Sequence, residues 1–190
     1  MVDGSMLDSS WSPVSSAGTS YVASKLAVAG VLPLISEATA MSSVWARLFW
    51  LYGPYEKTSR LVPSVILSLL DDQPASITAG HHVRDFLHVD DVAAALVRLA
   101  ESGLTGPVNC GSGLPVTVWE IAETVAAVVG HRDLLRAEPQ PDRSSVPTEI
   151  WADNTLLRST GWAQETTLQE GITGTVEWCR SHRDRRLFAR

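Results

Sequence analysis

Apolar stripes at helical spacing, interleaved with short extended pieces, constrain this chain more than any other feature. Val62, Val65, Ile66, Leu69 and Leu70 fall at i, i+3, i+4, i+7 and i+8, the pattern of a helix with one face in a core. Val92, Ala95, Leu96, Leu99 and Ala100 repeat that spacing, with Asp90 or Asp91 placed to cap the start. Thr117 with Glu120, and Thr167 with Glu170, form capping boxes that open two further helices. Extended pieces lie between them near 76–78, 86–89 and 108–110. Helix and strand in alternation predict an α/β fold.

Upstream, the first twenty residues are rich in Ser and Gly and read as loop. An Ala-, Leu- and Val-rich stretch predicts a helix over 21–38, which Pro33 should bend or end early because proline lacks the amide donor. A strand is expected over 44–49, closed by a turn at Tyr52, Gly53 and Pro54. At 190 residues, 45% hydrophobic and 19% charged, the chain is long and apolar enough to bury a core. A net charge of -6 argues against nucleic acid as a partner. No apolar run approaching the length of a bilayer span is apparent, nor a signal-peptide layout, so the expectation is a soluble cytoplasmic protein without a membrane partner. Cys110 and Cys179 lack CxxC spacing and read as buried thiols rather than a disulfide or zinc framework.

The chemistry sits at Tyr21-Val22-Ala23-Ser24-Lys25. Four residues at helical pitch put phenol and ammonium on one face, a turn apart. A free tyrosine titrates near pH ~10, and an adjacent cation favours the phenolate. A phenol so placed can take or give a proton at a carbinol oxygen while hydride moves to or from a nicotinamide.

Other motifs follow in order: Arg47 to Pro54 (RLFWLYGP), Arg60 to Pro63 (RLVP), Arg84 to Val92 (RDFLHVDDV), Asn109 to Gly113 (NCGSG), and Trp151 to Asp153 ahead of Gly161-Trp162. Together with YxxxK they closely resemble the extended short-chain dehydrogenase/reductases, specifically the NAD-dependent epimerase/dehydratase family acting on nucleotide sugars. The resemblance implies the C-terminal part of a Rossmann-type parallel sheet plus a smaller α/β substrate-binding lobe. It makes Tyr21 the proton donor or acceptor, and Lys25 its partner and the contact to the nicotinamide ribose, so both are catalytic and cofactor-binding. Arg84 matches an arginine that grips the substrate diphosphate, work suited to a planar forked donor. Arg143 matches a second one, although Val146 replaces the acid usual nearby.

Several family features are not found. The strand, GxxGxxG turn and helix that hold the cofactor pyrophosphate do not precede the YxxxK segment. The cluster Gly106 to Gly113 matches a later loop of the family and not that cradle. The catalytic Ser or Thr of relatives would fall at or before Met1, and Ser12, Ser15 and Ser16 stand too close to Tyr21 to inherit its role. Trp50 replaces an Asn that in relatives contacts the sugar diphosphate, and it cannot accept a hydrogen bond. Arg47 reads as a structural residue at a strand end. His81, His82 and His88 lack carboxylates at ligand spacing, so no metal site is expected.

These readings divide the chain into residues 1–58, a partial Rossmann portion, and 59–190, mainly the substrate lobe, with a return to the sheet near 82–110. The function implied by resemblance is that of an NAD-dependent, or NADP-dependent, nucleotide-sugar epimerase/dehydratase in an N-terminally truncated chain. The substrate partner would be a nucleotide-diphosphate sugar, and the family habit of pairing through the YxxxK helix implies a homodimer. Such a chain should be marginally stable and prone to associate, and should bind NAD weakly or not at all. The alternatives are a catalytically silent nucleotide-sugar-binding protein and a small-carbonyl reductase of the same superfamily.

Overall fold

The structure, a computed structural model, describes residues 5–7, 20–78, 80–139 and 147–182. Strand β1 (Ser5–Leu7) precedes a long helix, α1 (Ser20–Thr39). Of the two outcomes expected at Pro33, the early end does not occur, and α1 runs through it. One missing backbone donor is tolerable in a helix none of whose residues is buried, where water can take the freed carbonyl.

The strand expected over 44–49 is present, and a second, unexpected one follows it directly. Strand β2 (Val44–Leu48) pairs in parallel with β6 (Gly106–Cys110), Ala46 opposite Val108. After Phe49, whose amide donates to the Cys110 carbonyl at 3.2 Å, β3 (Trp50–Tyr52) pairs instead with β5 (Val83–His88). The chain thus changes partner at one residue, which brings Trp50 opposite Phe86.

Helix α2 (Leu61–Leu70) buries Val62, Val65, Ile66 and Leu69 as the stripe predicts. Strand β4 (Ala75–Thr78) leads toward β5, and helix α3 (Val89–Glu101) follows β5 directly. Two expectations for α3 are corrected. The N-cap is His88, whose side chain accepts from the Asp90 amide at 3.4 Å, because Asp90 and Asp91 already lie inside the first turn. Leu96 and Ala100 are exposed, since only the Val92, Ala95 and Leu99 face is covered.

Strand β7 (Pro115–Thr117) runs antiparallel to β5 and hands over to α4 (Val118–Val129). Both halves of the Thr117/Glu120 capping box are made. A 3-10 turn leads into β8 (Leu135–Glu138), which pairs with β4. Strand β9 (Ile150–Ala152) pairs with β1, and helices α5 (Thr155–Ser159) and α6 (Leu168–His182) complete the chain, the latter opened by the Thr167/Glu170 box.

Two apolar clusters result, and β5 serves both because successive strand residues face opposite sides. Leu87 joins Val92, Leu99, Val108 and Leu157 beneath the β2–β6 pair. Phe86 joins Ile66, Leu69, Ile121 and Ile172 between α2, α4 and α6. Each such side chain, fully buried, contributes about 1.5 to 3 kcal/mol. Cys110 and Cys179 are free buried thiols, one in each cluster, and burial pushes both up to about 11.

Candidate functional site

Tyr21 and Lys25 sit in the first turns of α1 and share a face: the Lys25 Nζ stands 5.7 Å from the centre of the Tyr21 ring. Tyr21 is 68% exposed, and both side chains line an open cavity of about 1360 Å³. The opposite side of that cavity is built from β2 and the start of β3, with Trp45, Arg47, Phe49 and Trp50 among its lining residues. Helix α1 is also, by length and composition, long and apolar enough to cross a membrane. That corrects the expectation that no segment of this length occurs; Tyr21, Lys25 and the scattered serines of the stretch dilute its apolar character to the eye without lowering the average enough.

Arg84, the first diphosphate candidate, is 6% exposed on β5. Its Nη1 donates to the carbonyls of Val83 at 2.7 Å and Thr148 at 2.8 Å. Its Nη2 donates to the Pro147 carbonyl and to His82 Nδ1, each at 3.1 Å. Four of the five guanidinium donors are thereby engaged within the chain. The guanidinium also lies over Trp50, 5.1 Å from the ring centre. Burial lowers the pKa of Arg84 itself. Burial, and then the charges of Arg84 and His81, lower that of His82, which keeps the ring neutral and its Nδ1 free to accept. His81 meets His82 edge-on at 4.7 Å. Among the described residues no three His, Cys, Asp or Glu side chains converge as metal ligands.

Arg143, the second diphosphate candidate, lies outside the described residues, as do Val146, Ser12, Ser15 and Ser16. Trp50 is the link between the two candidate groups that are described: it lines the cavity of Tyr21 and Lys25, and it carries Arg84 on its ring.

Three acids stand outside the site that the sequence reading assigns, Asp91 being considered only as a helix cap. Asp85 collects four donors, from the Ser112 amide and hydroxyl at 2.7 Å, the Gly113 amide at 2.9 Å and the Ala152 amide at 3.0 Å. Gly111 belongs to the same knot: a Cβ there would stand 2.7 Å from Asp85 Oδ2 and 2.6 Å from the Ala152 Cβ. The late glycine cluster therefore packs backbone against a buried carboxylate. Asp91 accepts from the amides of Glu165 and Thr166, tying α3 to the approach of α6. Glu56, in the loop after β3, has its Oε2 buried without a hydrogen-bond partner among the described residues, and burial pushes its carboxyl up to about 7 against a weaker lowering by Arg60. Nothing in RDFLHVDD marks Asp85 and Asp91 as the buried acids, since Asp90 in the same stretch is exposed.

The profile of the NAD dependent epimerase/dehydratase family matches residues 5–111, more than half of the chain. The chain belongs to that family. Among curated relatives of the chain, GDP-L-fucose synthase of Escherichia coli (strain K12) is 29% identical over 156 residues, covering 71% of this chain and 48% of the relative. The dTDP-glucose 4,6-dehydratase of Streptomyces niveus is 31% identical over 136 residues, 70% of this chain and 40% of the relative. The chain thus spans about half or less of the length of these relatives. Among solved structures, UDP-glucose 4-epimerase of Thermus thermophilus in complex with NAD is 28% identical, covers 84% of this chain and 53% of its own, and superposes with a TM-score of 0.74. DesIV of Streptomyces venezuelae, a dTDP-glucose 4,6-dehydratase with NAD and TYD bound, reaches a TM-score of 0.80 at 23% identity over 96% of this chain and 56% of its own. These neighbours establish the Rossmann-type α/β fold of the chain.

Proposed function

We propose that this family member serves an NAD- or NADP-dependent epimerase/dehydratase-type reaction on a nucleotide-diphosphate sugar, with Tyr21 as the proton-transferring group. The observation that carries the proposal is the Tyr21–Lys25 pair, on one face of α1 and open to the same cavity as Trp50. The family and its NAD-complexed relatives support the cofactor, and the names of those relatives as sugar-nucleotide enzymes support the substrate class.

The donor set fits a nicotinamide riboside. A phenol and an ammonium reach into a cavity of about 1360 Å³, spacious enough for a riboside and a hexose together. Lys25 would hold ribose hydroxyls, with Tyr21 beside it. NAD, held at Lys25 and Tyr21, would supply the hydride acceptor and donor for the sugar carbon. Tyr21 takes the proton of the sugar hydroxyl as the carbinol becomes a ketone, and gives a proton back on reduction. Lys25 keeps a positive charge beside the phenolate oxygen while it carries the negative charge. Arg143 has the second diphosphate role that the family resemblance implies. Arg84 serves the diphosphate from behind, supplying positive charge and fixing the 147–148 backbone, since most of its fork is already engaged. The enzyme would act in the cytoplasm, as a homodimer, without a metal.

The direct test is calorimetric binding of NAD and NADP to wild type, Lys25→Ala and Tyr21→Phe. Lys25→Ala should weaken dinucleotide binding by about tenfold, the loss of a charge-assisted hydrogen bond. Tyr21→Phe should leave it nearly unchanged. Equal affinity in wild type and Lys25→Ala would remove the cofactor assignment from this face.

A further inference from the structure

Trp50 is held in place before any ligand arrives. Its backbone is fixed in β3 opposite Phe86, the Arg84 guanidinium covers its ring at 5.1 Å, and Phe49 meets it edge-on at 6.3 Å. Arg84 is itself pinned by three carbonyls and His82. Yet Trp50 is 37% exposed, and it lines the cavity that holds Tyr21 and Lys25. An exposed, immobilised aromatic ring in a reactive cavity is a binding surface whose ordering cost has already been met.

The chemistry of the ring decides what it binds. Indole offers no acceptor and a single N–H donor, so it cannot grade a substrate by its hydroxyl pattern. A hydroxyl turned against it would lose water without gaining a partner, whereas C–H surface gains dispersion contact over the whole ring. A pyranose carries such C–H surface on the side its hydroxyls avoid. With the guanidinium already on the ring, a second cation is disfavoured there by like-charge repulsion, which leaves a neutral apolar face as the fitting occupant.

We propose that Trp50 is a specificity-determining residue that takes the C–H face of the hexose ring of the nucleotide sugar. The proposal rests on the nucleotide-sugar reading above. It assigns the indole to the sugar and not to the base or the diphosphate, so the sugar moiety alone should register a change at this position.

The test is calorimetric titration of the cofactor-saturated protein with two matched pairs, TDP and TDP-glucose, and GDP and GDP-L-fucose. Wild type, Trp50→Phe and Trp50→Asn are compared after their melting curves show folded protein. For whichever pair binds, Trp50→Asn should weaken the nucleotide sugar by about tenfold and leave the free nucleoside diphosphate within about twofold. Trp50→Phe, which retains a ring, should stay within about threefold of wild type for both. Equal weakening of nucleotide and nucleotide sugar would place the base on the indole and overturn the proposal. Unchanged affinities in Trp50→Asn would make the ring purely structural and overturn it as well. Failure of wild type to bind all four ligands would overturn the nucleotide-sugar reading itself, and this inference with it.

Discussion

The Tyr52 hydroxyl fills the space where a Cβ on residue 171 would stand, so Gly171 in the first turn of α6 and Tyr52 at the end of β3 are one packing unit. The glycine is required by contact and not by backbone conformation. Gly171→Ala should lower stability by roughly 1 to 3 kcal/mol, the usual cost of overpacking. Tyr52→Phe in the same chain removes the nearest clashing atom and should recover part of that loss. Urea midpoints of the two single variants and the double variant check this, and strict additivity would contradict it.

Asp85 organises the 111–113 loop and β9 by accepting four hydrogen bonds at 2.7 to 3.0 Å. In Asp85→Asn an NH2 would confront backbone amides, donor against donor. A loss of roughly 2 to 4 kcal/mol is expected, because buried donors lose a charged acceptor. Chemical denaturation measures the loss, and amide exchange should show the opening at Ser112, Gly113 and Ala152 first.

Glu56 supplies a pH dependence with a definite sign. Its carboxyl is pushed up to about 7 from an ordinary 4.5, chiefly by burial. The folded chain then binds more protons than the unfolded chain between those values, so this group's contribution falls as pH rises from about 4.5 to 7 and stays low above. Allowing for solvent screening of a half-exposed side chain, the effect is on the order of 1 kcal/mol. Glu56→Gln should match wild type at pH ~5 and exceed it by about that amount at pH ~8. Denaturant midpoints at the two pH values decide it, and a stabilisation independent of pH would assign the effect elsewhere.

Local patterns were legible in the sequence, and changes of partner were not. The stripe from Val62 to Leu69 and the boxes Thr117/Glu120 and Thr167/Glu170 are local physics, and they appear where the spacing puts them. Strand β2 is legible as the apolar run 44–49, whereas β3 is not, because the change of partner at Phe49 is set by β6 and β5, some sixty and forty residues away. Short strands such as β7 and β9 have too few residues to show alternation. The site follows the same division. Tyr21 and Lys25 share a face because the helix pitch demands it. The family resemblance singles out Arg84, yet its partners at Pro147 and Thr148 lie more than sixty residues on, and only folding brings them together. Trp50 read as a departure from the family pattern, and its place between Arg84 and the cavity is a tertiary fact.

If the Tyr21 phenol moves the proton of the reacting sugar hydroxyl, its removal must slow the chemistry without loosening the ligands. Turnover of a bound nucleotide sugar by wild type and Tyr21→Phe, with NAD or NADP at saturation, reads this through nicotinamide absorbance and product analysis. A fall in kcat of about 100-fold to 10,000-fold is expected in Tyr21→Phe, with the dissociation constants of cofactor and nucleotide sugar nearly unchanged. Turnover by Tyr21→Phe at the wild-type rate would take the proton-transfer role away from this residue.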